Sequence, residues 1–279
     1  MGIWYSICDA LPFEFFHWTF MQNALLAVLL ISPLFGLAST MVVTGRMSFF
    51  SDALGHSAFT GIAIGAICGI ANPTWTAVIF AIFFSLLFSF IRSKSNHTAD
   101  TLIGIFSSTA VALGIFVATL NGGSFTKYNK YLIGDILSVT PGEIALIAVV
   151  LACVIVFWAL YANRLTLCLI YPQLASSRSI AMHFTQTCFT VALAVVVTLA
   201  ISWVGLLILN SLLVFPGAIA RNVSRNLRQY HVISIVSALT AGIAGLCVAF
   251  VFGTSAGAAI SLFLAFLFLL SFLLRKVRM

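Results

Sequence analysis

Runs of about twenty apolar residues, separated by short polar breaks, recur along this whole chain and leave few folds open to it. Twenty residues of α-helix cross the ~30 Å hydrocarbon core of a bilayer. Unpaired backbone groups are not tolerated there, so a helical bundle is the expected answer. Composition agrees: 62% of the 279 residues are hydrophobic and 7% are charged, whereas a soluble domain carries about a quarter charged residues. The runs predict spans at 18–43, 52–71, 74–91, 100–120, 141–162, 183–203, 205–220, 231–252 and 255–274. The seventh is short, begins at Gly205 and reaches Pro216, where a discontinuous or partial crossing is open. The expectation is therefore an all-α polytopic bundle of eight or nine spans forming one transmembrane domain over 1–279.

Basic residues, which stay on the cytoplasmic face, set the orientation. With the N-terminus outside, nine passages and the C-terminus inside, Arg46, Arg92, Lys94, Arg164, Arg178, Arg221, Arg225, Arg228, Arg275, Lys276 and Arg278 all fall inside. Lys127 and Lys130 fall outside, with Asp9 and Glu14 on the outer tail. Eight passages would strand one of the two C-terminal basic clusters on the wrong side. The net charge of +7 thus reads as topology. No basic patch interleaved with aromatics suggests nucleic acid, so no nucleic-acid partner is expected. The N-terminus lacks the basic start of a cleavable signal, and the first span is expected to be retained. Six cysteines, Cys8, Cys68, Cys153, Cys168, Cys188 and Cys247, form no CxxC pair and read as packing groups.

Ionisable residues inside spans cost roughly 2.5–3.5 kcal/mol each on insertion scales, so they mark function by default. Asp52 and His56 stand out. At about 100° per residue, i and i+4 lie within ~40° on one helix face. Gly61 and Gly65 fall on the opposite side, at the spacing that lets helix backbones approach. A carboxylate beside an imidazole is a donor set for zinc, manganese or iron. It is equally a capping acid beside a hydrogen-bonded ring, and the residues alone leave both readings open. Two ligands suit a transit point that must release its ion.

Asp100 is expected to cap the fourth span, His97 to be solvated, and Asp135 to order an outer connection. His17, His183 and His231 sit near span ends and receive no role. Asn210 and Ser211, beside Pro216, mark an irregular stretch of the kind that lines cavities. The chain has no GxxxxGK[ST] loop, HExxH or GxSxG, no voltage-sensor arginines and no GYG filter. It is not expected to be an enzyme.

The block from Arg46 to Ala58, Arg-Met-Ser-Phe-Phe-Ser-Asp-Ala-Leu-Gly-His-Ser-Ala, resembles the zinc/manganese/iron family of ATP-binding-cassette permeases. Blocks at Asp100–Ile115, Tyr131–Leu137, Val204–Ala220 and Thr254–Ile260 follow in the family's order, most like its zinc-uptake members. The resemblance implies a type II importer-like permease in the bacterial cytoplasmic membrane, moving a divalent metal inward. Zinc is the first choice, with manganese or iron next. It implies a separate cytoplasmic ATP-binding subunit, an extracytoplasmic metal-binding solute protein and a second permease copy, identical or related. Surrounding lipid is the remaining partner, and no cofactor is expected beyond the transported ion and the ATP held by the partner. It places Asp52 and His56 on the metal pathway and an ATPase-coupling helix at Pro172, Gln173, Leu174, Ala175 and Arg178. The family's usual acid near Gln173 and glycine near Arg178 or Ser179 are missing here. Zinc-uptake members can carry a histidine in the fourth span, where this chain has Ser107 and Ser108. A proton-coupled secondary transporter using the same pair is the alternative, though the internal repeats expected of one are not visible. A membrane scaffold, to which the pair would be dispensable, is the third reading.

Overall fold

The computed structural model describes residues 4–5, 17–70, 72–120 and 135–278, and these are helical apart from short connections. The helices are α1 (Thr19–Thr44), α2 (Phe50–Ile67), α3 (Pro73–Lys94), α4 (Ala99–Thr119), α5 (Pro141–Ile170), α6 (Pro172–Ser177), α7 (Met182–Val204), α8 (Leu206–Val223), α9 (Leu227–Phe252) and α10 (Ala256–Arg278). A 3₁₀ turn at Ile136–Ser138 precedes α5. Among the described residues eight helices are long and apolar enough to cross a membrane. The long helix outside that set is α2, whose 18 residues include Asp52, His56, three hydroxyl side chains and three glycines. Lys127, Lys130, Asp9, Glu14, Cys8 and Tyr131–Gly134 lie outside the described residues.

Local chemistry ends the helices where the sequence places breaks. Asn72 accepts from Thr74 N–H at 3.3 Å, with Pro73 in the first turn of α3. Thr98, not Asp100, caps α4 by accepting from Thr101 N–H at 3.4 Å. Asp100 sits inside the first turn instead, where a carboxylate faces the positive end of the helix. Asp135 caps the 3₁₀ turn by accepting from Leu137 N–H at 3.1 Å. Thr140 and Glu143 then form a reciprocal cap on α5, with Glu143 Oε2 accepting from Thr140 N–H at 2.8 Å. The T-x-x-E spacing was the available signal for that cap.

The short seventh segment is present as a span, and the open question of a discontinuous crossing is closed. It is a continuous helix to Val223 with Pro216 inside it, and only Gly205 separates it from α7. Gly205 has φ 85° and ψ 156°, a region essentially closed to residues with a Cβ. A neighbouring side chain covers part of the gap left by the proline, because Ser39 Oγ accepts from Gly217 N–H at 2.8 Å.

The described residues fall into two compact units. One gathers those of Met1–Thr40, Asp135–Val156 and Ser211–Met279; the other those of Met41–Gly134 and Phe157–Asn210. In the first, α9 packs on α1 with Gly36 so close that a Cβ there would lie 2.9 Å from Ile235 Cα. Ser234 Oγ donates to Gly36 O at 2.6 Å, Tyr230 OH to Thr40 O at 3.1 Å, and His231 Nδ1 meets Thr40 Oγ1 at 3.0 Å. Hydroxyl bonds of this kind hold helices together where lipid supplies no hydrophobic drive.

The second unit is built around α2. Its Gly61 and Gly65 lie against Ala77 and Thr76 of α3, as the glycine spacing predicts. Its opposite flank meets α4, where Thr60 Oγ1 donates to Ala110 O at 2.7 Å and Gly114 admits Phe59. Phe50, Phe84, Phe88 and Phe106 fill the space between these helices, with ring centroids 4.9–5.5 Å apart. Much apolar surface stays exposed on α5 and α10, including Val149, Leu160 and Leu262. Such surface is a liability in water and ordinary in lipid.

Candidate metal pathway on the second helix

Asp52 and His56 share a face of α2, with Asp52 Oδ2 3.5 Å from His56 Nε2. Their side chains are 42% and 33% exposed, so both reach beyond the packed interior. Two donors 3.5 Å apart can each lie ~2.05 Å from one ion at an angle of about 117°, close to tetrahedral. The pair therefore has the spacing of two ligands without moving.

Asn210, which the sequence marks only as part of an irregular stretch, is the third member. Its Nδ2 donates to Asp52 Oδ1 at 3.3 Å. The amide occupies one carboxylate oxygen and leaves the other turned toward His56. Asn210 Oδ1 is buried without a hydrogen-bond partner, a costly state for an amide oxygen. The backbones come close at the same place, since a Cβ on Gly55 would press on the Leu206 side chain. Leu206 and Asn210 are one turn apart, as are Asp52 and Gly55, so two short stripes face each other. A polar residue in an apolar run was the sequence signal for Asn210; its aim at Asp52 is a tertiary fact.

Asp52 lies in the first turn of α2, the position of a dipole-stabilising acid. The N-cap position belongs to Phe49, and no side chain caps the helix. Among the described residues no group of three or more His, Cys, Asp or Glu side chains gathers to hold an ion. The cysteines of these residues are free and, like His97 and Asp100, stand outside this constellation. Ser107 and Ser108 of α4 contribute no imidazole.

The segment proposed for coupling is a separate short helix, α6, opened by Pro172 and packed through buried Ala175. Gln173, Leu174 and Arg178 are exposed on it. Beside them Tyr171 is 57% and Leu174 52% exposed, an apolar and polar patch free to meet another chain. The helix ends in paired bonds, Ile180 N–H to Ala175 O at 3.1 Å and Ser179 N–H to Ser176 O at 3.0 Å. That closure needs a left-handed residue, and Ser179 supplies it at φ 52°. A left-handed position is the physical reason for the glycine that the family resemblance leads one to expect near Arg178 or Ser179. Ser179→Gly is expected to stabilise the protein by ~1 kcal/mol, because a Cβ in the left-handed region costs about that much. A thermal unfolding midpoint that fell in this variant would contradict the reading.

The model of the ABC 3 transport family matches residues 17–275. The chain is 28% identical over 257 residues to the high-affinity zinc uptake system membrane protein ZnuB of Haemophilus influenzae, covering 91% of this chain and 97% of that one. It is 29% identical over 257 residues to the manganese import system permease protein ScaB of Streptococcus gordonii, covering 92% and 91%. The solved structure of PsaBC from Streptococcus pneumoniae in complex with Fab superposes with a TM-score of 0.77 at 26% identity, covering 98% of this chain and 95% of that chain.

Proposed function

We propose that this chain, which belongs to the ABC 3 transport family, is the membrane-spanning permease subunit of an importer for a divalent transition-metal ion. The observation that carries the metal is the Asp52–His56 pair, a carboxylate and an imidazole set 3.5 Å apart on one helix and oriented by Asn210. Zinc and manganese are the ions in the names of the relatives. Between them zinc is favoured by the imidazole, and the carboxylate and amide oxygens keep manganese or iron close.

In this reading a bound ion contacts Asp52 Oδ2 and His56 Nε2 in transit. With two protein ligands it is held loosely enough to leave. The chain supplies the path and no phosphate loop, so a separate cytoplasmic ATPase drives alternation between outward and inward access. That subunit docks on the exposed residues of α6, Gln173, Leu174 and Arg178. A binding protein outside delivers the ion, a second permease copy completes the path, and 1–279 acts as a single permease domain. The inner-membrane orientation has the N-terminus outside and the C-terminus inside, as the basic residues favour. A match over nearly the whole chain to an ATP-driven family supports this reading over a proton-coupled carrier.

The test is radioactive zinc and manganese accumulation in cells lacking their own permease, with and without this chain and its ATPase. Uptake that needs both, with one metal competing out the other, is the expected result. Uptake that persists without any ATPase overturns the assignment.

A further inference from the structure

A second polar feature lies within the same compact unit, at the C-terminal end of α3. The last turn of α3 and the first turn of α7 enclose a cavity of about 120 Å³ lined by Ser89, Arg92, Ser93, His183, Gln186 and Thr190. That is room for a group several times the size of a water molecule. Ser89, Ser93 and His183 also line a groove of about 450 Å³ whose other walls include Leu86, Phe90 and Phe184. A small polar chamber therefore opens into a larger apolar trough.

The chamber has a cation with no matching anion. Arg92 is half-buried, and its polar partner among the described residues is the Met47 thioether at 3.1 Å, a weak acceptor. No carboxylate pairs with it among the described residues. A partly desolvated guanidinium in that position is costly without an acceptor, and its planar fork of donors matches phosphate oxygens. Two neighbours add positive potential. Ala181 leaves the start of α7 without a side-chain cap, so the helix's positive end faces this region. Lys94 lies 4.6 Å from the Phe90 ring centroid, beside the trough.

We propose that this cleft binds an anionic phospholipid, with the phosphate held by Arg92 and His183 and one acyl chain lying along Leu86, Phe90 and Phe184. The location rests on the orientation given above, which sets the C-terminal end of α3 at the cytoplasmic edge of the bilayer. Basic pockets between transmembrane helices on that side hold anionic headgroups. The lipid fills a gap between α3 and α7 and neutralises Arg92 where no protein group does.

The test uses the purified full-length chain in detergent, stripped of lipid and titrated with phosphatidylglycerol, phosphatidylcholine or inorganic phosphate. Thermal midpoint and lipid retained in native mass spectra are read. Phosphatidylglycerol is expected to be retained and to raise the midpoint, with phosphatidylcholine far weaker. Arg92→Gln should weaken phosphatidylglycerol roughly tenfold or more, the worth of one charge-assisted contact, while Arg164→Gln leaves it unchanged. Should Arg92→Gln fail to fold, the exposed His183→Ala gives the same reading with a smaller loss. Equal affinity for the two lipids, or retention unaffected by these variants, overturns the proposal. Inorganic phosphate that matches the lipid's effect overturns it in favour of a free-anion site. No metal and no ATP enters the assay, so its failure is separate from failure of the transport assignment.

Discussion

Asp52→Ala and His56→Ala are each expected to reduce metal uptake by at least about tenfold at unchanged membrane abundance. The scale follows from metal sites in general, where losing even an outer partner of a ligand costs roughly 10–100-fold. Abundance should hold because both side chains are one-third or more exposed and neither fills the interior. The competing account makes Asp52 a helix-start acid and His56 its hydrogen-bond partner. Asp52→Asn separates the two. It keeps the shape of the side chain and an oxygen for the Asn210 amide but removes the charge an ion needs. A structural acid lost in this way costs ~0.3–1 kcal/mol of stability through the helix dipole and leaves transport alone. A pathway acid lost in this way stops transport as well, so uptake and not stability separates the two accounts. Normal uptake in all three variants would return the pair to packing and leave the metal without a ligand on this helix.

The pair was legible in the sequence because rarity and helical period act together. A charge in an apolar run is conspicuous, and the four-residue spacing assigns it a face without tertiary information. The same period put Gly61 and Gly65 on the opposite side, where α3 in fact passes. Asn210 escaped because its partner is 158 residues away, and no periodicity reports so distant a contact. Pro216 left a broken crossing open for a related reason. Nothing local in the sequence shows that Ser39 meets the Gly217 amide and that the helix runs on. The Arg92 cleft was invisible for the same cause, since the basic residues near 92–94 read only as topology until α7 was seen against them.

The glycines of α2 and α4 give the second large effect, because two residues of identical chemistry should respond in opposite directions. A Cβ on Gly61 would lie 2.5 Å from Ala77 Cα and 3.0 Å from Thr76 O. Both are backbone atoms of α3, so no rotamer change relieves the clash and the helices must separate. Overpacking of well-packed sites costs about 1–3 kcal/mol and sometimes more, and an obstacle made of backbone belongs at the upper end. The separation also reaches Thr60 and its bond to Ala110 on the far side of the same helix. Gly104, in the first half of α4, has nothing within 4 Å of where its Cβ would be. There Gly→Ala removes backbone freedom from the unfolded chain and favours helix by ~0.5–1 kcal/mol. In detergent, Gly61→Ala should lower the thermal midpoint and the yield of folded protein, and Gly104→Ala should hold or raise both. Equal behaviour of the two variants would mean that α2 and α3 are not in backbone contact. The face assigned to Asp52 and His56, which depends on α3 occupying the other side, would then lose its structural support.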